Sequence, residues 1–122
     1  MGVVSYRDLT VWQRAMELTE EAYRVARLLP KTEEYRLTSQ LVRAAVSVPA
    51  NIAEGHARAG RKEFLNFLSI AGGSLAETET LLLLAARVGY VSAAQTANAL
   101  ARAEEVGRML TSLKRRLKVS TR

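Results

Sequence analysis

The chain has 122 residues, enough for a real hydrophobic core in one domain; 48% of them are hydrophobic and only 6% aromatic. That Ala- and Leu-rich balance, with two prolines, suits helices better than strands, and the lack of cysteine excludes disulfides and thiol chemistry. Of the 18 basic residues, six (Arg108, Lys114, Arg115, Arg116, Lys118 and Arg122) follow Gly107 with no acidic residue among them, so the net charge of +6 sits at the C-terminal end and the rest balances 12 against 12.

No run approaches the roughly 20 apolar residues that would span a bilayer, and no basic region followed by an apolar core marks a signal peptide. The expectation is a cytoplasmic protein with no membrane partner. In chain order, a first helix is predicted over about 9–29. At about 100° per residue, Trp12, Ala15, Met16, Thr19, Ala22, Tyr23 and Ala26 form its apolar stripe, opposite Gln13, Arg14, Glu17, Glu20, Glu21 and Arg24. Thr10 with Gln13 has capping-box spacing, with Asp8 as a competing cap, and Pro30 closes the helix.

A second helix is predicted over about 36–58, entered through a turn at 32–35, and a third over about 62–88, ended by Gly89. Ser92 is an N-cap for a fourth over about 92–118, with the stripe Ala99, Ala103, Val106, Leu110, Leu113 and Leu117. Links this short make neighbours antiparallel. The predicted fold is all-α, an up-down-up-down four-helix bundle forming one domain over 1–122.

Helices two and three depart from ordinary amphipathicity. In helix two, Gln40, Arg43, Ser47, Asn51, Glu54 and Arg58 fall within an arc of roughly 80°. Leu37, Leu41, Val42, Ala45, Val46, Val48, Pro49, Ile52 and Ala53 spread over most of the remainder, an apolar arc too wide for one bundle core. Helix three carries a core stripe of Phe64, Phe67, Leu68, Ala71, Leu75 and Leu82. A second stripe of Ile70, Leu81, Leu84 and Val88 is interrupted by Glu77. Surplus apolar surface on both helices predicts a contact with another subunit. Gly72 and Gly73 at mid-helix cost about 1 kcal/mol each relative to alanine, which predicts close approach of another backbone. They cannot act as a phosphate loop, since helical N–H groups are already engaged and the motif's lysine is absent.

The stretch SVPANIAEGHARAG, 47–60, places a proline and several polar groups in this apolar setting. His56 is the only histidine, so Ser–His–Asp and Cys–His arrangements lack parts, and it reads as a solvated residue near a helix end. Glu54 and Glu77 lie on different helices without a matching metal-ligand cluster. The reading is a polar seam in which Asn51 and Glu54 are buried, with Arg43 or a backbone donor answering Glu54. Pro49 removes a helical N–H and clashes with the carbonyl of Ala45; a bend there frees backbone groups that Ser47 or a polar side chain from a neighbouring helix can satisfy. Gly55 admits another backbone.

The segments DLTVWQRAMEL, SQLVRAAVSVPANIAEG, FLNFLSIAGGSLAETE and AARVGYV, in this order and spacing, carry a resemblance over about 6–113. The chain resembles the small four-helix-bundle proteins encoded in intervening sequences of 23S ribosomal RNA genes. These are similar in turn to the accessory variability protein of diversity-generating retroelements. The resemblance implies a ring-like homopentamer and maps Asn51, Glu54 and Gly55 onto NIAEG, and Gly73, Ser74 and Glu77 onto GSxxE. It assigns these positions no reaction. In the retroelement relatives a basic surface of the pentamer engages reverse transcriptase and RNA, whereas here only the chain's end is basic.

The sequence thus reads as a non-enzymatic oligomeric scaffold without cofactor, metal or small-molecule substrate. One class is a nucleic-acid or ribonucleoprotein accessory factor using Lys114, Arg115, Arg116 and Lys118, with Arg58, Arg61 and Lys62, and with RNA or a nucleic-acid-processing protein as partner. Arg14 and Arg24 are further candidates. The other class is a protein-interaction adaptor without nucleic acid. The seam residues Arg43, Ser47, Asn51, Glu54, Gly55, Gly73, Ser74 and Glu77 are structural in both.

Overall fold

A computed structural model describes residues 5–58 and 60–119. Arg122, counted above among the basic residues of the tail, lies outside the described residues. Four helices account for nearly all of the rest: α1 (Thr10–Ala26), α2 (Leu37–Ala57), α3 (Arg61–Arg87) and α4 (Ala93–Val119).

Local chemistry sets the helix ends. A 3-10 turn at Tyr6–Asp8, capped by Ser5, leads into α1 and displaces the expected capping box. Leu9 is the N-cap and offers no side-chain acceptor, while the Gln13 amide donates back to the Arg7 carbonyl at 2.9 Å. Helix α1 stops at Ala26, earlier than predicted, because Leu28 and Leu29 donate to the carbonyls three residues back and tighten the last turn before Pro30. The α2 N-terminus is capped from the preceding link, where the Glu33 carboxylate accepts from the Leu37 N–H at 3.2 Å. Past the end of α3, Gly89 adopts φ 88°, with Gly89 N–H bonded to Ala86 O and Tyr90 N–H to Ala85 O. This is a Schellman closure, and its left-handed residue is the expected glycine. Ser92 and Gln95 cap α4 reciprocally, side chain to backbone, as Ser92 predicted.

The core divides into two layers along the bundle. One takes Ala22, Val25 and Leu29 from late α1, Leu37, Leu41 and Ala45 from early α2, Leu82 and Ala85 from late α3, and Ala99 from early α4. The other takes Val11, Ala15 and Leu18, then Val48 and Ile52, then Leu68, Ala71 and Leu75, then Val106 and Leu110. Late, early, late, early is the alternation that antiparallel neighbours produce. One detail of the α1 stripe is corrected: Met16 and Tyr23 are exposed at 40% and 41%, while Val11, Leu18 and Val25 are buried in their place. The core-facing arc is rotated toward Leu18 because larger branched side chains on that flank fill the interior better than a tyrosine with a polar tip.

Between α1 and α4, Arg14, Glu17, Arg102 and Glu105 form a closed ring of ion pairs at 3.1–3.9 Å. Arg14 is therefore engaged inside the chain, as is Arg24, which pairs with Glu21.

Candidate functional site

The predicted polar seam exists in part, between α2 and α3. Asn51 donates its amide to both the carbonyl and the hydroxyl of Ser47, each at 2.8 Å. Ser47 Oγ lies 2.8 Å from Ser74 Oγ, and Thr78 returns its hydroxyl to the Ser74 carbonyl. Three neutral side chains thus tie the two helices at one register, with no charge in the link. Helix α2 continues through Pro49, so Ala45 lacks its usual intrahelical donor. The donor comes from α1: Thr19 Oγ1 sits 3.1 Å from Ala45 O and 2.9 Å from its own Ala15 O. This is the neighbouring-helix partner that the proline required. Thr19 itself was assigned only to the apolar stripe of helix one.

Gly55 is buried where α2 meets α3, and a Cβ there would stand 2.6 Å from Phe67 Cβ and 3.1 Å from Phe64 Cδ1. The close approach is as predicted, although it is made by side chains rather than by backbone.

The charged members of the seam are elsewhere. Glu54 is exposed and pairs with Arg58 one turn along its own helix at 2.9 Å, so it is neither buried nor answered by Arg43. The reason is energetic: a carboxylate at the margin of the arc stays hydrated beside an i+4 arginine, whereas burial would demand several donors. That bond, with the nearby Glu54 and Glu63 charges, also raises the Arg58 pKa above its ordinary value. Arg43 and Glu77 instead line an open cleft of about 420 Å³ together with Gln40, Ser47 and Ser74. Neither has an ion-pair partner among the described residues. Gly73 is exposed and also outside the seam.

Topology gathers the basic candidates. Val11, Ile52, Leu68 and Leu110 share one core layer, so the start of α1, the end of α2, the start of α3 and the end of α4 meet at one end of the bundle. Arg58, Arg61 and Lys62 thereby join Lys114, Arg115, Arg116 and Lys118, with Arg7 and Arg108 beside them. Asp8, Glu54 and Glu63 stand in the same segments as these nine cations, and Arg108 and Arg115 share a cleft with Glu79 and Glu104. Both phenylalanines, the single tryptophan and the single histidine also lie at this end. Tyr6 packs edge-on to Trp12 at 5.3 Å and His56 edge-on to Phe64 at 5.7 Å. The guanidinium groups of Arg7 and Arg58 lie over Tyr6 and Phe67 at 5.7 and 5.1 Å. His56 is thus half-buried against a ring, a partial correction to the solvated residue expected. Sequence reading missed Arg7, Tyr6, Trp12 and Phe67 as members of this surface, since their proximity depends on antiparallel packing.

The sequence pattern described as 23S rRNA-intervening sequence protein matches residues 7–112. The chain belongs to this family. A solved structure similar to it is a protein of unknown function from the S23 ribosomal protein family of Bacteroides thetaiotaomicron. It superposes with a TM-score of 0.80 at 26% identity, covering 86% of this chain and 98% of that one. No curated protein matches.

In this 23S rRNA-intervening sequence family member, α3 departs from its predicted surroundings. Leu81 of the second stripe is buried, but Ile70, Leu84 and Val88 remain 44%, 43% and 53% exposed, with Leu83 beside them. Nothing comes within 4 Å of a Cβ placed on Gly72 or Gly73. The helix is therefore not surrounded within a single chain. By length and mean hydropathy alone it could cross a membrane, although Glu77 and Glu79 interrupt it and no run of about 20 apolar residues is present. Its inner face supplies the core residues Leu68, Ala71, Leu75 and Leu82, and the surplus lies on the outer one.

Proposed function

We propose that the chain is a non-enzymatic, self-assembling scaffold that engages nucleic acid through the basic end of its bundle, as an accessory factor to RNA or to a nucleic-acid-processing protein. The observation that carries this reading is the collection of nine cations at one end of the bundle, from the 3-10 turn before α1, the C-cap of α2, the start of α3 and the end of α4. Phosphate-binding surfaces are built this way, from cations that the fold rather than the sequence brings together. The exposed outer face of α2 and α3, with Val46, Ile70, Leu84 and Val88, supports assembly with further copies. The assembly proposed is the ring-like homopentamer implied by the resemblance, in the cytoplasm and without a membrane partner. The lone histidine rests against Phe64, and Glu54, two residues before it in the chain, is held by Arg58, an arrangement offering no nucleophile with its base.

A titration of the full chain with structured RNA at two salt concentrations tests the phosphate contact. The logarithm of affinity should fall with that of salt by about 0.7–0.9 for each phosphate engaged. Truncation after Leu113 should preserve folding and assembly while reducing affinity and slope together. A flat salt response would overturn the nucleic-acid role and leave a protein adaptor. Light scattering behind size exclusion should give a multiple of 13.4 kDa; a clean 13.4 kDa species would overturn the scaffold.

A further inference from the structure

Resting on that reading, the geometry points to a substrate class: unpaired nucleic-acid strand, whose bases stack on the aromatic and guanidinium surfaces of the basic end. Cations alone bind duplex and single strand alike, because both present phosphates. Rings add a distinction. Bases inside a duplex stack on one another, whereas unpaired bases have free faces for aromatic side chains or arginine planes.

Four observations converge on one end of the bundle. The 3-10 turn that carries Tyr6 and Arg7 packs against both α1 and α2. Trp12 and Phe64 pack against the same core layer, which sets the Tyr6–Trp12 pair at the end of the bundle where His56 meets Phe64 and Arg58 lies over Phe67. Both ring pairs are edge-on, with interplanar angles of 68° and 81°. In such a pair the partner covers only one of the four ring faces. Tyr6, Trp12, His56, Phe64 and Phe67 are each half-buried, so each is anchored by packing yet keeps surface in solvent. Finally, Arg7 and Arg58 are exposed and held over rings, Arg58 with its N–H edge on Glu54 and Glu63 at 2.9 and 3.9 Å, and Arg61 and Lys62 follow at the start of α3. A core-closing cluster needs apolar contact only; it does not need planar cations laid on its outer side.

The test uses the full chain with an oligothymidylate and with a duplex of equal length, followed by the fluorescence of Trp12, the only tryptophan. Arg7→Lys and Arg58→Lys keep the charge and discard the plane, at exposed positions where folding is not at risk. The expected result is tighter binding of the single strand, with quenching of Trp12. Each lysine variant should weaken single-strand binding about 5-fold or more, at an unchanged salt slope. Equal or tighter duplex binding, or lysine variants that bind like the parent, overturns the stacking inference and leaves the phosphate-binding reading intact. Failure to bind either nucleic acid at low salt overturns both.

Discussion

The proline in α2 makes a specific energetic prediction about a residue on another helix. Thr19 is buried, and its single hydroxyl proton is divided between Ala15 O at 2.9 Å and Ala45 O at 3.1 Å. Ala15 O keeps its helical partner when that hydroxyl is lost. Ala45 O does not, because the donor that belongs to it would be the N–H of residue 49. Thr19→Val preserves shape and branching and leaves one buried carbonyl unpaired, at about 1–3 kcal/mol. The shared proton places the value toward the lower half, about 1–2 kcal/mol. At about 3–6 °C per kcal/mol for a chain of this size, the melting temperature should fall by about 3–12 °C.

The decisive arm is Pro49→Ala, which restores an N–H within reach of Ala45 O. In that background Thr19→Val should cost close to nothing, so a double-mutant cycle yields a coupling of about 1–2 kcal/mol. Urea denaturation at fixed protein concentration is the assay, since the self-assembly proposed above would make apparent stability depend on concentration. Additive effects within about 0.5 kcal/mol would refute the reasoning and reduce Thr19 to a filler of space.

Gly55→Ala drives a Cβ to 2.6 Å from Phe67 Cβ and should destabilise by about 1–3 kcal/mol, whereas Gly107→Ala meets Leu75 only at 3.4 Å and should be neutral or better; a thermal melt in which both behave alike removes the close-approach argument. The hydrogen bond from Tyr90 and that from the Leu37 N–H hold the Glu33 carboxyl below its ordinary 4.5, and the same Tyr90–Glu33 bond holds the Tyr90 phenol above 10.0. Glu33 therefore adds stability above pH 4.5 that is lost as pH falls, and Tyr90 adds stability below pH 10.0 that is lost as pH rises. The melting gap between the parent and Tyr90→Phe should close at both extremes, and a gap constant across pH refutes the link. In the ring of Arg14, Glu17, Arg102 and Glu105, a double-mutant cycle on Arg102 and Glu17 should give a coupling of about 0.3–1 kcal/mol that shrinks in high salt; a coupling indifferent to salt would place the interaction in packing instead.

What the sequence disclosed follows the range of the interactions involved. Ser92 capping α4, and Gly89 closing α3, are decided within six residues, and both were readable. The register of α1 was less so, because Met16 and Tyr23 are apolar enough to pass as core until Leu18 and Val25 compete for the same interior. Within the candidate site, Ser47, Asn51 and Ser74 were legible as small polar groups on otherwise apolar arcs, whose burial demanded partners. Glu54 shared their arc and was misplaced, since an arc says which face a side chain occupies and not how deep it sits. Arg58, four residues on, was the signal that Glu54 had a partner in water. Thr19 was the converse case, a polar residue inside an apolar stripe, and its task became visible only with Pro49 opposite it. The basic end was the least legible. Its two charged stretches are separated by about half the chain, and only antiparallel packing makes them one surface.

The same contrast between arc and depth gives the outer face of α3 its meaning. Gly72 and Gly73 each cost the helix up to about 1 kcal/mol relative to alanine, and within one chain no neighbour comes within 4 Å to benefit from the missing side chains. One turn away Ile70, and further along the helix Leu84 and Val88, leave large apolar surface in water. Each feature alone is ordinary on a protein surface. Together on one helix, small residues flanked by exposed large ones are what close packing against another protein surface requires, and a second copy is the partner proposed above. The glycines separate stability of the chain from stability of the assembly. If the face stays in solvent, Gly73→Ala should raise the melting temperature, by about 1 kcal/mol of helix propensity, and leave the oligomer unchanged. If a second copy seats its backbone there, the new methyl group holds the two apart, and the assembly should dissociate at higher protein concentration even though the single chain is the better helix. Dissociation constants from sedimentation equilibrium, set beside melts of the dilute protein, distinguish the two. A variant that melts higher and assembles as tightly as the parent would remove Gly73 from the contact.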